Sequence, residues 1–358
     1  MIRVAASSGP GRGAAAMWRL GSRLRGVALA GLAAAGLLAA APSPEPSVGF
    51  AQALAPAQGG APAIPLAIWW PSTAPATEQP LGLFRQMVAA GGAVAGSRLP
   101  LVLISHGSGG TSDGHYDTAL ALARAGFVVA ALQHPGDNFR DQSRAAHLED
   151  RPRDLVRALD WMLGAWPEHA RLDPGRVGAF GFSAGGFTVL AAAGGKPDLS
   201  RFRPHCAAHA SFYDCRLVAR SPGAATPTGG ARDGRLRALV VAAPAAGFTF
   251  AGGLGGVTQP VQLWRADEDG ALPAPYYADA VRAALPRPPE FHGVPGADHW
   301  DFLAPCTPAL ATAAPAICGE RYAFDRTAFH RAFNAEAVRF LTAALAQPAR
   351  TTRSTPSP

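Results

Sequence analysis

Short apolar runs alternate along this chain with longer stretches in which apolar residues recur every three or four positions. Residues 99–105 (LPLVLIS) and 127–133 (FVVAALQ) are nearly unbroken, as a strand buried on both faces requires. Residues 64–71 (IPLAIWWP), 176–182 (RVGAFGF), 236–243 (LRALVVAA), 260–266 (PVQLWRA) and 289–295 (PEFHGVP) predict five further strands. Between them, 116–126 (YDTALALARAG), 149–164 (EDRPRDLVRALDWMLG) and 184–195 (AGGFTVLAAAGG) predict helices, and Leu155, Leu159 and Met162 share one helix face. A last helix runs from about Thr327 to Ala346. The segment Thr73–Arg98 is rich in Gly and Ala and gives no clear period, and an irregular stretch follows the 184–195 helix. Strand and helix alternation of this kind predicts an α/β fold, a mostly parallel sheet flanked by helices.

The N-terminal segment has a different character. Met17–Arg25 is positively charged, and Gly26–Ala41 is an uncharged run of Ala, Leu and Gly. That apolar run is short for a membrane span and suits a secretory signal, with translation starting at Met1 or Met17. Cleavage after Ala41, Ala53 or Ala55 is expected, and no stable span is expected once the signal is removed. The expected organisation is a leader and linker over 1–55, one catalytic domain over 56–347 and a disordered tail over 348–358.

Composition narrows the function. Hydrophobic residues at 48% and charged residues at 16% describe a globular chain with a substantial core. The net charge of +7 invites a nucleic-acid reading, but Arg3, Arg12, Arg19, Arg23 and Arg25 all precede the first acidic residue, Glu45. Without that leader the charge is about +2, and no basic run with interleaved aromatics remains, so nucleic acid is not an expected partner. The four cysteines form two close pairs, Cys206 with Cys215 and Cys306 with Cys318. In an oxidising compartment each is expected to bridge to its neighbour, although four cysteines permit three connectivities.

Two pentapeptides fit Gly-x-Ser-x-Gly, centred on Ser112 and Ser183. A nucleophile elbow requires a strand before the serine and a helix after it, so that Oγ stands above the carboxyl edge of the sheet. Ser183 has both, whereas Ser112 follows a loop and Asp113-Gly114 reads as turn chemistry. Serine needs a base, and His299 lies in a Gly-containing loop just after the last strand. His292 falls inside that strand and His330 inside the last helix, where packing is the better reading; His205 and His209 would need a metal or a lid role to matter. The acid that orients the base is expected in 267–269, after the preceding strand. Asp269 stands four residues before Pro273; Asp267 lies nearer the strand end and stays open, with Asp214 a distant third. Oxyanion donors are expected from the amide of Ala184 and from the loop His106–Gly110, by Ser108 or by Gly107. The aromatics Phe182 and Trp300 are candidate substrate contacts; His134, in HPGDN, ends a strand at the same sheet edge and is a candidate through that motif's resemblance to a pocket-lining loop of the family described next.

These motifs (LPLVLISHGSGG, GFVVAALQHPGDN, GFSAGG, LWRADED and GADHWDFLAPC) together resemble the α/β-hydrolase fold over about Pro65 to Leu345. More narrowly they resemble bacterial dienelactone-hydrolase-like proteins related to platelet-activating-factor acetylhydrolases. The resemblance implies a central sheet with helices on both faces and a small insertion after the nucleophile helix. It also implies a serine esterase using neither metal nor organic cofactor, acting on a small-molecule ester or lipid-like substrate. Dienelactone hydrolases carry cysteine where this chain has Ser183, so that substrate does not transfer. An acyltransferase or peptidase on the same triad, or a catalytically idle binding module, are the alternative readings.

Overall fold

A computed structural model describes residues 47–220, 232–319 and 324–346, so the expected signal segment and the tail lie outside the described residues. Ten strands form one sheet in the order β10-β9-β8-β7-β5-β6-β2-β1-β4-β3. The first four are β1 (Ser47–Ala55), β2 (Ile64–Ser72), β3 (Thr77–Leu81) and β4 (Phe84–Ala90). After them come β5 (Leu99–Ser105), helix α1 (Tyr116–Arg124), β6 (Val128–Leu132), α2 (Asp150–Gly164), β7 (Leu172–Phe182) and α3 (Ala184–Ala192). Two short helices follow, α4 (Phe202–Ala208) and α5 (Tyr213–Ala219), then β8 (Leu236–Ala242), β9 (Val261–Ala266), α6 (Ala278–Ala284) and β10 (Glu290–Val294). Last are α7 (Pro308–Ala313), α8 (Pro315–Cys318) and α9 (Arg326–Ala346).

From β6 through β5, β7, β8 and β9 to β10 every pairing is parallel. All residues of β5 and β6 are buried, which is why these strands read as unbroken apolar runs. Leu155 and Leu159 of α2, Phe187 and Leu190 of α3 and Val281 of α6 join the core on one face. Leu120 and Leu122 of α1 and Phe333, Phe340 and Leu341 of α9 fill the other.

The other end of the sheet departs from the pattern. Residues 1–55 read as leader and linker, but β1 occupies 47–55 and pairs antiparallel with β2 from Ser47↔Ser72 to Ala55↔Ile64. The folded domain therefore begins earlier, and cleavage after Ala53 or Ala55 would remove a strand lying between β2 and β4. The signal is weak because only Val48, Gly49, Phe50 and Ala55 of β1 are buried. The segment without a period, 73–98, holds the β3–β4 hairpin at the sheet edge. Here the core takes in a polar residue: buried Gln86 of β4 accepts a hydrogen bond from Trp69 Nε1 at 2.8 Å.

The irregular stretch after α3 is an insertion, and a Cys206–Cys215 disulfide joins α4 to α5 within it. A second disulfide, Cys306–Cys318, closes the α7–α8 segment. These are the pairings that spacing favours. Among the described residues no helix is long and apolar enough to cross a membrane. Peptide mapping of the purified protein without reductant is expected to find both bridges. Replacing either pair by alanine should lower the unfolding free energy by about 2–3 kcal/mol, read as a lower urea midpoint, because each bridge closes a loop of about ten residues.

Candidate active site

At the end of β7 the chain turns into α3 in a single residue, Ser183, held at φ 55° and ψ −119°. That left-handed conformation is costly for a non-glycine residue and lifts the side chain above the strand ends. The turn brings backbones so close that the flanking positions have no room for a side chain. A Cβ on Gly181 would lie 2.1 Å from the Gly185 carbonyl oxygen, and one on Gly185 would lie 1.8 Å from that of Ser105. The two glycines around Ser183 are thus steric requirements of the β5–β7–α3 junction.

His299 begins a short 3₁₀ turn directly after β10, and its Nε2 lies 3.1 Å from Ser183 Oγ. Its Nδ1 lies 2.8 Å from Asp269 Oδ2. The other oxygen of Asp269 accepts the amides of Ala271 and Leu272 at 3.0 and 2.6 Å, which fixes the carboxylate plane and leaves Oδ2 for the imidazole. Asp298 ties the two loops together: its Oδ1 accepts from Gly270 N at 2.9 Å and from His299 N at 2.8 Å. All three side chains are nearly buried, with His299 only 1% exposed. Asp267 is turned away, paired through Oδ1 with Arg265 Nε and Nη2 at 3.0 and 2.8 Å, so of the two carboxylates left open by spacing it is Asp269 that meets the histidine.

The loop after β5 passes against the elbow, and a Cβ on Gly107 would sit 3.1 Å from Ser183 Cβ. Next to it, Ser108 lines the same cleft as Ser183. Among the described residues neither the Ser108 nor the Ala184 amide has a protein acceptor, and Ala184 opens α3, where helix amides have no intrahelical partner. Two amides beside Ser183 are therefore uncommitted.

A buried arginine holds this loop in place. Arg151 of α2 is 1% exposed, and its guanidinium reaches Asp137 Oδ2 and the His106 carbonyl, with Nε donating to Thr188 Oγ1 at 3.1 Å. Thr188 in turn donates to the Ala184 carbonyl at 2.7 Å, and Asp137 Oδ1 accepts from Gly109 N at 2.7 Å. One guanidinium thus joins the β5 loop, the β6 loop and the first turn of α3. The helical pattern carries a sign of it: Arg151 sits at an otherwise apolar position, four residues before Leu155 and seven before Ala158. Asp154 interrupts the same stripe three residues on, and the partners that these two buried charges meet in other elements are invisible at that distance in sequence.

His134 belongs to this buried layer, and its expected place as a substrate contact is corrected. It is fully buried, with Nε2 2.9 Å from Ser105 Oγ and Nδ1 3.1 Å from Asp154 Oδ2, so no ring atom is left for a ligand. Its backbone amide donates to His106 Nε2, which places the His106 proton on Nδ1, toward the Gly107 carbonyl at 2.6 Å. Burial, with the Arg151 charge beside them, holds both histidines well below their usual range. Burial alone pushes the Asp154 carboxyl up to about 6, against the surrounding arginines. Phe182 is also buried and backs the His299 ring at 4.8 Å between centroids. Trp300 is half-buried, edge-on to both His299 and Tyr213.

The remaining candidates fall elsewhere. Ser112 lies in a turn where Thr111 Oγ1 accepts the Asp113 amide at 3.2 Å. His292 stacks on Trp264 with ring centroids 4.0 Å apart, and His330 pairs with Asp117 Oδ2 at 2.6 Å. His205 and His209 lie in an aromatic cluster with Phe212 and Tyr276 on the insertion.

The parallel sheet, the helices on both faces and a serine at a strand-to-helix elbow define an α/β-hydrolase fold. A ferulic acid esterase from Streptomyces cinnamoneus has a similar structure, with a TM-score of 0.58, 19% identity, and coverage of 89% of this chain and 96% of that one. The profile of the prolyl oligopeptidase family matches residues 115–224, a span that includes Ser183 and ends before Asp269 and His299. No curated protein matches the chain.

Two predictions follow from the buried layer. Arg151→Met strands the Asp137 carboxylate, and urea unfolding should show a loss of about 3–5 kcal/mol; adding Asp137→Leu should recover part of it. His115, also buried, is pushed down to about 3 by desolvation. Like His106 and His134 it refuses a proton that the unfolded chain accepts below its usual value of 6.5, so its contribution to stability falls as pH drops from 6.5 toward 3. The raised carboxyls of Asp113, Asp154 and Asp214, each near 6, oppose that trend at lower pH. The test is therefore a difference: between pH 7.5 and 5, His115→Phe should lose less in Tm than the parent protein.

Proposed function

We propose that the protein is an exported serine hydrolase that cleaves carboxylic esters, short-chain or lipid-like, through an acyl-serine intermediate. The observation that carries this reading is the relay Asp269–His299–Ser183, with 2.8 and 3.1 Å steps, next to two uncommitted amides. His299 Nε2 takes the proton as Ser183 Oγ adds to the ester carbonyl, and the Ser108 and Ala184 amides hold the resulting oxyanion. As the carbon–oxygen bond to the alcohol breaks, His299 returns that proton to the leaving oxygen. Water then repeats the sequence on the acyl-serine and frees the acid. Asp269 keeps the imidazole in the required tautomer and stabilises the imidazolium.

Export is supported by the two disulfides, which persist in oxidising compartments, together with the signal-like N-terminal composition. The motif likeness to dienelactone-hydrolase-like and acetylhydrolase proteins favours an ester, as does the structural likeness to a ferulic acid esterase. The prolyl oligopeptidase profile match supports a second reading, a peptidase on the same relay.

The purified protein should react with a fluorophosphonate probe and hydrolyse short-chain 4-nitrophenyl esters faster than matched peptide 4-nitroanilides. Ser183→Ala should abolish labelling, with Ser112→Ala unchanged. Asp269→Asn should lower kcat by about 10⁴-fold, as a wrong tautomer does, and Asp267→Asn by far less. Wild-type labelling in Ser183→Ala would refute the reading, and faster anilide cleavage would favour the peptidase.

A further inference from the structure

We infer that the α4–α5 insertion holds a zinc site when its disulfide is reduced, with Cys206, Cys215, His205 and Asp214 as the ligands. The inference goes beyond the ester-hydrolase reading and does not depend on it.

Each helix contributes a pair of neighbours. His205 and Cys206 stand near the end of α4, and Asp214 and Cys215 near the start of α5. A ring nitrogen of His205, a carboxylate oxygen of Asp214 and the Cys215 sulfur all lie within 4.8 Å of one another. Bonds of about 2.0–2.3 Å to a tetrahedral zinc put its ligand atoms about 3.3–3.8 Å apart, so closing this group takes small side-chain movements. Cys206 is bridged to Cys215 and so brings a fourth donor to the same place. Two thiolates, an imidazole and a carboxylate form a tetrahedral donor set suited to zinc.

The carboxylate points to a cation independently of the sulfurs. Asp214 is 5% exposed; its Oδ1 accepts from the Tyr277 hydroxyl at 2.8 Å, and Oδ2 has no hydrogen-bond partner. A buried acceptor left unmet is costly, and a bound cation recovers that cost. The same hydroxyl lies 3.3 Å from His205 Nε2, and Phe248 stacks on the His205 ring with centroids 3.7 Å apart. Outer partners of this kind orient metal-binding side chains. Burial, helped by His209, pushes His205 down to about 4, and burial pushes Asp214 up to about 6. At neutral pH the ring is therefore uncharged and the carboxyl ionised, as metal ligands must be. His205 and Cys206 are half-buried, which gives an ion a way in from that side once the bridge is open.

The metal cannot bind while the sulfurs are joined. A two-electron reductant (two thiols going to a disulfide, or a phosphine and water going to the phosphine oxide) supplies two electrons and two protons, which turn the bridge into two thiols. Zn²⁺ then displaces both protons and forms two zinc–sulfur bonds. The ion joins α4 to α5 where the disulfide did, and so keeps the wall beside Ser183 in place. The second bridge offers no such site. Among the described residues no His, Asp or Glu completes a group with Cys306 and Cys318, and Arg326 Nη1, a fixed cation, lies 3.0 Å from Cys306 Sγ.

The test titrates the anaerobic, phosphine-reduced protein with Co²⁺ as a spectroscopic stand-in and then displaces it with Zn²⁺. The reduced wild type should take up about one ion per chain, with a thiolate-to-cobalt charge-transfer band and the visible bands of a tetrahedral ion. The oxidised protein should show neither. Cys306→Ser with Cys318→Ser should keep the bands, and Cys206→Ser with Cys215→Ser should lose them. His205→Ala and Asp214→Asn should each weaken zinc affinity by about ten-fold or more, measured by competition with a chromophoric chelator. Circular dichroism read in the same titration covers a reduced chain that unfolds without metal: refolding driven by zinc in the wild type, and not in the Cys206→Ser, Cys215→Ser variant, also supports the site. No charge-transfer band in the reduced wild type, bands that survive loss of Cys206 and Cys215, or affinity unchanged in both His205→Ala and Asp214→Asn would each overturn the inference. Each of these results leaves the ester-hydrolase reading standing.

Discussion

One tight backbone approach governs the site: Gly185, at the start of α3, lies so close to the end of β5 that a Cβ on it would stand 1.8 Å from the Ser105 carbonyl oxygen. No side chain larger than hydrogen fits there, and the same contact sets the height of the helix over the sheet. Ser183 is forced into a left-handed turn by it, and the loop after β5 is brought against the serine. The strain at Ser183 is sustained because β7 is clamped between β5 and β8, with all residues from Val177 to Phe182 buried. A strained residue survives only where its surroundings over-determine it.

Around this contact the protein has spent stability on a charge. Burying Arg151 and Asp137 is expensive, and a hydrophobic pair of similar volume would often hold a core as well. What a hydrophobic pair would lack is direction. The guanidinium engages a carbonyl, a carboxylate and a hydroxyl in one plane, and so sets the β5 loop against α3 to within hydrogen-bond tolerance. The neutral histidines His106 and His134 extend that layer without adding charge, because desolvation and the nearby cation both oppose their protonation.

The two sides of Ser183 are built differently. On the histidine side, Asp298 couples two strand-end loops through backbone amides, and Phe182 and Trp300 contact the imidazole ring. The opposite side is closed by short helices joined by a disulfide, which carry Asp214 and Tyr213 beside Phe202, Leu217 and Val218. Rigid strand ends hold the relay, and an insertion outside the sheet shapes the cleft. Sequence change in the insertion can therefore alter what fits without disturbing the relay.

The α/β alternation, the elbow at Ser183 and the choice of His299 were legible in the chain because each depends on local order: a strand, a sharp turn, a helix, or a loop just after a strand. Buried parallel strands are continuous apolar runs, so β5 to β10 stand out, whereas β1 and the β3–β4 hairpin at the other end mix exposed and buried positions and do not. Spacing alone left Asp267 and Asp269 open, since both follow β9; only the tertiary arrangement, with Arg265 holding one and two amides orienting the other, separates them. The same limit applies to His134, which sits at the edge where ligands bind in such folds yet is sealed beneath it by Ser105 and Asp154. Residues 29 and 20 positions away decide its role, and no periodicity encodes contacts between elements that meet only when the sheet closes.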